Sequence, residues 1–403
     1  MKQHMAFETP HLELGGQQVR EMFRQRFGTS PSVFRAPGRI NIIGEHTDYN
    51  DGFVLPMAIQ SCTWIAVSRR EDRELQAYSE QFDDSVHLSL DNLSGPPTRH
   101  WSDFVRGVAA VLQNCGMALR GANFAIRSDV PIGAGLSSSA SLEVSLALAM
   151  ASMACSAVPQ LNLAKLCQEA EHEYVGTRCG IMDQFVAVFG KAGCALLLDC
   201  RSLQKELIPI PPKLCFVAVN TMVRHELSSS EYNLRRTDCA AAVKALQSVL
   251  PNIQSLRDVG WEKLKQNKSA LPEKVYRRCR HVVGENGRVL AAVRALRSED
   301  PGELGRLMYE SHASLRDDYE VSCRELDLLV DLASSRPGVF GARMMGGGFG
   351  GCTINLVHPD SVNAFRSDVS RLYKEQTGIM PETYICEPGE GAGAWAAENH
   401  LQT

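Results

Sequence analysis

The stretch Gly38-Arg39-Ile-Asn-Ile-Ile-Gly44-Glu45-His46-Thr47-Asp48-Tyr49-Asn50-Asp51-Gly52 decides how the rest of this chain is read. An arginine, three carboxylates and a histidine crowd between two apolar flanks, Ser32-Val-Phe-Arg-Ala-Pro-Gly38 and Phe53-Val-Leu-Pro-Met-Ala-Ile59, which read as short extended segments. A polar connection held by rigid elements is where binding and catalytic groups concentrate. Asn50-Asp51-Gly52 is a tight-turn signal and reads as the turn itself. Arg39, Glu45, His46 and Asp48 are not turn formers as a group and are interleaved with Ile40, Ile42 and Ile43. They stand as either a solvated loop or a ligand site.

The whole chain narrows the classes open to it. At 403 residues it exceeds the size at which one core usually keeps growing, so two domains are expected. Hydrophobic residues at 44%, charged residues at 22% and a net charge of −4 carry no basic excess. That points away from nucleic acid and anionic membrane and towards a small-molecule partner. The 13 cysteines are scattered singly, with no C-x-x-C pair or zinc spacing, and read as reduced, mostly buried thiols. The start, Met1 to Pro10, lacks the apolar core of a secretory signal, so a cytoplasmic protein is expected and the sequons at Asn92 and Asn267 are chance matches. Ala140 to Val158, with Glu143 and several serines, is too polar for a membrane span and reads as a buried helix.

Along the chain, Phe53 to Ser68 reads as strands, Ser102 to Leu112 as a helix closed by Gly116, and Ala122 to Arg127 as a strand. Further strands are expected near Leu196 to Leu198 and Cys215 to Val219. Between them, the proline-rich Ile208 to Pro212 marks a domain seam, dividing residues 1–210 from 211–403. Helical patterns follow from Tyr232 to about Leu250, then from Val275, Glu303 and Arg324, before strands near Thr353 to Val357 and Thr383 to Cys386. Both halves mix strands and helices without strict alternation, so the class is α+β.

Gly133-Ala-Gly135-Leu-Ser137-Ser138-Ser139-Ala140 joins a strand to a helix. Free N–H groups and the positive dipole end of a helix attract phosphate, and glycines let the backbone approach closely. A capping serine after a flexible turn is the plain alternative, but three consecutive serines exceed what capping needs. The loop lacks the Gly-Lys-Ser/Thr of a Walker A motif, and the HRD and DFG elements of protein kinases do not occur. A second cluster, Gly346-Gly-Gly-Phe-Gly-Gly351, formally fits G-x-G-x-x-G, yet Cys352 to Val357 after it reads as a strand where a dinucleotide fold needs a helix. It is a sharp turn or a backbone wall against a ligand. On the helix Leu163 to Tyr174, Glu171 and Glu173 flank the apolar stripe on opposite sides, and periodicity does not choose between them. Asp183 is a lone acid in an apolar run, either a helix cap or a buried reacting group.

Together these motifs resemble the galactokinases of the GHMP small-molecule kinase superfamily over nearly the whole chain. The resemblance rests on Gly38 to Pro56, the serine loop, Cys179-Gly-Ile-Met-Asp-Gln184, Ser229-Ser-Glu-Tyr-Asn-Leu-Arg-Arg236 and the Gly346 to Gly351 loop. It implies a ribosomal S5 domain 2-like N-terminal half, a ferredoxin-like C-terminal half and a site between them. It implies transfer of the ATP γ-phosphoryl group to the C1 hydroxyl of galactose. Glu45, His46 and Asp48, with Gly180, Asp183 and Tyr232, would bind the sugar, and Gly133, Gly135, Ser137 and Ser138 the nucleotide phosphates. Ser139 and Glu171 would be the Mg²⁺ ligands, and Arg39 with Asp183 the catalytic pair, Arg39 also touching substrate. An arginine beside a carboxylate weakens it as a base, which leaves open whether the C1 proton is taken early or late. The resemblance also implies a monomer.

Two kinds of relative serve as alternatives. Galactose-sensing proteins lack a Ser-Ala pair in the serine loop, whereas Ser139-Ala140 is intact here. Relatives acting on N-acetylgalactosamine carry His-Ile-Asp-Tyr-Cys in the first motif, whereas this chain has His46-Thr-Asp-Tyr-Asn50. One departure is Met345, where the family commonly has threonine before the second glycine loop; methionine donates no hydrogen bond. The glycine backbone that follows it remains, so the change is expected to be tolerated.

Overall fold

The computed structural model describes residues 8–224 and 228–396; Met1–Phe7, part of the start read above as free of a signal, lie outside the described residues. The first part runs α1 (Glu8–Phe27), β1 (Ser32–Asn41), β2 (Phe53–Val54), β3 (Pro56–Arg69), β4 (Glu74–Ser79), β5 (Asp84–Ser89), α2 (Ser102–Asn114), β6 (Ala122–Ser128), α3 (Ser138–Met153), α4 (Gln160–Ala170), α5 (Met182–Phe189), β7 (Cys194–Asp199) and β8 (Lys205–Pro209). The second runs β9 (Cys215–Arg224), α6 (Ser228–Leu246), α7 (Trp261–Gln266), α8 (Glu273–Arg297), α9 (Pro301–Ser314), α10 (Arg324–Ser334), β10 (Val339–Met344), β11 (Gly350–Val357), α11 (Val362–Thr377), β12 (Glu382–Cys386) and β13 (Gly393–Trp395).

Alternating burial sorts these elements into layers. A six-stranded sheet, ordered β13-β1-β3-β6-β4-β5, is antiparallel except for the β4–β6 pair. One of its faces meets α2 to α5 over a core that includes Ile65, Val67, Phe124, Val144 and Phe185. The other face is covered by α1, whose Val19 and Phe23 pack with Trp64 of β3. A four-stranded antiparallel sheet, ordered β10-β11-β9-β12, forms the second half, and β2, β7 and β8 make a small third sheet. Of the seam expected at residues 208–212, Ile208 and Pro209 end β8 and the rest leads to β9, which lies in a different sheet. The chain then crosses back, because β13 pairs with β1 at Val33–Trp395 and Arg35–Gly393.

The opening motif is clamped between the halves. Ile40, Ile42 and Ile43 are fully buried in a core shared with Val289 and Val293 of α8, Met308 of α9 and Ile354 of β11. This explains the apolar interleaving: the charged residues alternate with anchors that fix the strand. The expected helices and strands are present, with α1, α11, the β4–β5 hairpin, β8, α7, β10 and β13 in addition. Among these, α1 and α11 read weakly because they are polar on most of their surface, and β4 and β5 because they are short.

Helix α9 crosses β10 at a glycine–glycine contact. A Cβ added at Gly305 would lie 1.9 Å from the carbonyl oxygen of Phe340, so the helix can approach only without a side chain there. Gly305→Ala is expected to cost about 1–3 kcal/mol, the scale of core overpacking, read as a lower urea midpoint. An unchanged midpoint would show that this approach is not tight.

Candidate functional site

Strand β1 breaks register between Pro37 and Arg39, and this irregularity aims Arg39 at the loop before α3. Its freed N–H donates to the Leu136 carbonyl at 3.0 Å. The Arg39 side chain donates from Nε to Asp183 Oδ1 at 2.9 Å, from Nη2 to Oδ2 at 2.8 Å and from Nη1 to the Gly135 carbonyl at 2.6 Å. Two parallel bonds to one carboxylate are the strongest and most orienting form of such a pair. Burial pushes the Arg39 pKa down, but the Asp183 and Glu45 carboxylates outweigh it and raise it overall, so the guanidinium stays charged. Asp183 sits in the first turn of α5, where a helix favours an anion, and its Oδ2 also accepts the Ser137 hydroxyl.

The serine loop has the strained backbone that its glycines suggest. Gly133, Gly135 and Ser137 are all left-handed, at φ of 70°, 75° and 61°. Ser137 precedes α3 but makes no side-chain cap, its hydroxyl being engaged by Asp183. Ser138 and Ser139 open α3 in half-buried positions. The second glycine cluster is a hairpin turn between β10 and β11 that lies on this loop: an added Cβ at Gly346 would be 3.8 Å from Gly135, and one at Gly351 3.7 Å from the Ala134 carbonyl. It is a sharp turn, and the Gly346–Gly348 backbone also lines a cavity.

A cavity of about 310 Å³ opens beside the pair, lined by Arg39, Glu45, His46, Asp48, Glu171, Gly180, Asp183, Tyr232 and the Gly346–Gly348 backbone. The Asn50-Asp51-Gly52 segment does turn the chain, with Asp51 left-handed at φ 57° and Gly52 N–H bonded to the Thr47 carbonyl at 2.8 Å. Asp48 accepts the Tyr49 N–H at 3.0 Å, and Gly180 is needed beside it, since a Cβ there would fall 1.9 Å from Asp48 Oδ2. Burial, then the Asp183 charge, pushes the Asp48 carboxyl up to about 7. Glu45 Oε1 accepts the Gly346 N–H at 2.8 Å and lies 3.1 Å from Arg343 Nη2, so this carboxylate ties the opening motif to the second glycine loop. His46 is held at φ 62° with Nδ1 2.7 Å from the Tyr49 hydroxyl, and burial, then His281, lowers its pKa well below the ordinary value, leaving it neutral. Tyr232 of α6 packs against this group, tilted on His46 with ring centroids 5.4 Å apart and edge to face with Tyr49 at 5.5 Å.

Glu171 is the acid that turned inward. After α4 the chain makes a single π-turn over Glu171–Val175, closed by Gly176 N–H to the Glu171 carbonyl at 2.9 Å, and Glu171 is buried while Glu173 is exposed. Burial, then Asp183, raises Glu171 to about 7, opposed by hydrogen bonds from Cys179, Gln184 and Ser139. Gln184 Nε2 bridges Glu171 Oε2 at 2.6 Å and the fully buried Glu143 Oε2 at 3.0 Å. No group of three or more His, Cys, Asp or Glu side chains among the described residues is placed to hold a metal alone. The donors do fit Mg²⁺, which usually takes one or two protein oxygens and completes its shell with water and phosphate. A hydroxyl and a carboxylate here face two neighbouring acids whose repulsion a dication would relieve.

Motif reading missed Glu143, Arg343, His281 and Tyr319. Arg343 and Tyr319 are fully buried side chains far along the chain, and only tertiary packing brings them to residues 41–49. Met345 is also buried; its sulfur accepts the Asn41 N–H at 3.4 Å, which puts it beneath the glycine loop and outside the cavity lining.

Known proteins match the chain throughout. The family model described as "Galactokinase galactose-binding signature" matches residues 21–69, and those for the N- and C-terminal GHMP kinase domains match 103–191 and 292–375. A galactokinase of Roseiflexus sp. (strain RS-1) is 46% identical over 93% of this chain and 96% of its own length. One from Canis lupus familiaris is 44% identical over 93% and 95%. The crystal structure of Lactococcus lactis galactokinase complexed with galactose superposes with a TM-score of 0.91 at 37% identity, covering 94% of this chain and 99% of that one. Methanococcus jannaschii mevalonate kinase, at 19% identity and a TM-score of 0.62, shares the fold.

Removing one partner of a buried ion pair strands the other. Arg343→Met, which keeps much of the bulk and leaves Glu45 unpaired, is expected to lower unfolding free energy by about 3–5 kcal/mol in chemical denaturation. A loss under about 1 kcal/mol would show that Glu45 is satisfied by Gly346 alone.

Proposed function

Since the chain belongs to the galactokinase family of the GHMP kinases and is an ATP-dependent sugar kinase, we propose that its cavity takes galactose and that Arg39 and Asp183 work at the transferring phosphoryl group. The reaction moves the γ-phosphoryl of ATP to the C1 hydroxyl of galactose, giving galactose 1-phosphate and ADP. The bidentate Arg39–Asp183 pair on the cavity wall, tied to the serine loop through Gly135 and Ser137, carries this reading.

In this reading Glu45, His46, Asp48, Gly180 and Tyr232 hold the sugar, and Gly133, Gly135, Ser137 and Ser138 receive the nucleotide phosphates. As the C1 oxygen bonds to the γ-phosphorus, the bond from that phosphorus to the ADP oxygen breaks, and the C1 proton passes to the Asp183 carboxylate. The transition state of such a transfer is loose, so positioning and charge neutralisation carry most of the catalysis. Arg39 supplies positive charge from protein. Ser139 and Glu171 would hold Mg²⁺, which would supply positive charge to offset that of the phosphates. The intact Ser139-Ala140 pair favours an enzyme over a sugar sensor. A cavity completed within one chain is in keeping with a working monomer. All 13 cysteines are free, in keeping with a reducing cytoplasm, and no helix among the described residues is long and apolar enough to cross a membrane.

Two outcomes are expected. ADP release from MgATP is to be followed with galactose, N-acetylgalactosamine or no sugar, in wild type and Asp183→Asn. Galactose should be preferred, and the variant should lose roughly 10²–10⁴ in kcat, the usual worth of a general base. Near wild-type turnover in Asp183→Asn would remove that residue from the mechanism, and ADP release independent of sugar would remove galactose. The second outcome concerns pH. A carboxyl held near 7 is protonated, and loses acceptor capacity, as pH falls through that value. The KM for galactose at saturating MgATP should therefore climb below pH 7, by up to about tenfold per unit, and Asp48→Asn should flatten the profile. The same slope in that variant would assign the titration elsewhere.

A further inference from the structure

His46 stands at one end of a closed chain of hydrogen bonds that no role assigned above uses. Its Nδ1 is 2.7 Å from the Tyr49 hydroxyl, which is 2.8 Å from the Tyr319 hydroxyl, which is 3.2 Å from the Cys239 sulfur. The Asn50 amide Nδ2 lies 3.6 Å from that sulfur and 2.9 Å from the backbone carbonyl of His46 itself. The loop thus returns to the residue where it began. Its members come from the opening turn, from α6 and from the π-turn after α9, and all are buried or half-buried.

The direction of the chain follows from one fixed end. A carbonyl oxygen only accepts, so the Asn50 atom facing the His46 carbonyl is the NH₂ group, and its second hydrogen goes to the Cys239 sulfur. The thiol and both phenols are pushed up by burial and keep their protons at neutral pH. The thiol hydrogen finds its acceptor in Tyr319 Oη, the Tyr319 hydrogen in Tyr49 Oη, and the Tyr49 hydrogen in His46 Nδ1. Each hydroxyl has one hydrogen to give, so the order propagates without a branch. The opposite polarity would make the sulfur, a weak acceptor, take two donors and strand its own hydrogen among the described residues. In the neutral ring an accepting Nδ1 means that Nε2 bears the proton, and Nε2 is buried, has no hydrogen-bond partner of normal geometry among the described residues although the Gly347 backbone is close to the ring, and belongs to a residue lining the cavity.

We propose that Asn50, Cys239, Tyr319 and Tyr49 form a one-way hydrogen-bond relay that locks His46 in its Nε2–H tautomer, so that the ring donates to a sugar hydroxyl oxygen. Cys239 and Tyr319 are positioning residues for sugar specificity, acting through His46. The inference rests on the reading that the cavity takes galactose. It adds that the sugar hydroxyl facing His46 must accept, and can pass its own hydrogen to an acidic neighbour such as Asp48.

The test has a spectroscopic and a kinetic arm. In enzyme labelled with ¹⁵N-histidine, with His46→Gln to assign the signals, His46 Nδ1 should resonate as an unprotonated ring nitrogen and Nε2 as a protonated one. The reversed pattern overturns the relay. Cys239→Ala breaks the chain at its centre and Tyr319→Phe removes a link. Each is expected to raise the galactose KM roughly threefold to tenfold, the scale of one neutral hydrogen bond, with kcat and the KM for ATP within about twofold of wild type. Cys239→Ser, which restores a donor and an acceptor, should recover the wild-type KM and tautomer, and this pair decides the matter if Tyr319→Phe does not fold. Unchanged tautomer and KM in Cys239→Ala overturn the relay. A galactose KM unmoved in His46→Gln overturns instead the reading that His46 meets the sugar, whatever the relay does.

Discussion

The bidentate contact between Arg39 and Asp183 is the constraint around which the rest is arranged. It joins β1 to the first turn of α5 and, through Gly135 and Ser137, to the loop that opens α3. A charge pair this buried is costly to desolvate and is repaid only where geometry is good and the remaining hydrogen-bonding positions are filled. The structure meets both conditions: the Arg39 Nη1 group goes to a carbonyl, and Asp183 Oδ2 takes a hydroxyl. The irregularity in β1 is the cost on the strand side, and the left-handed Ser137 is the cost on the loop side. Strain of this kind persists where surrounding contacts over-determine it, which here means the isoleucine anchors of the opening motif and the second glycine loop resting on the first.

Much of this is legible in the sequence. The interleaving of Ile40, Ile42 and Ile43 with Arg39, Glu45, His46 and Asp48 set that segment apart from an ordinary turn and left it as a solvated loop or a ligand site. The serines after Gly135 marked a helix entry with more polar groups than a cap requires. The failure of Gly346 to Gly351 as a dinucleotide motif followed from the β-pattern after it, and β11 occupies that place. What pattern left open was which of Glu171 and Glu173 turns inward. Regular 3.6-residue periodicity sets them symmetrically about the stripe, and a π-turn breaks that symmetry by widening one turn.

A second π-turn, over Leu315–Tyr319, sets Tyr319 between the rings of His46 and His281, at 4.7 and 4.6 Å between centroids. No local signal in Leu315-Arg-Asp-Asp-Tyr319 announces this, because the ring is placed by packing against α8 and the opening turn. Arg343 is hidden for the same reason: it reads as one charge in a short strand, and only the folded chain shows it fully buried against Glu45 and two β1-side carbonyls. Sequence motifs therefore located the groups that face the cavity, while the groups that hold those in place came from distant segments with no motif of their own.

The return of β13 to β1 has a consequence for biosynthesis. The strand that carries Arg39 is made well before its neighbour on one edge, Gly393–Trp395. At ordinary synthesis rates the two are separated by tens of seconds. During that interval β1 presents an open edge, and α1 has Trp64 but not Trp395 to pack against. Strand β1 is finished only by a strand made much later, so a chain interrupted before Gly393 would leave an exposed sheet edge.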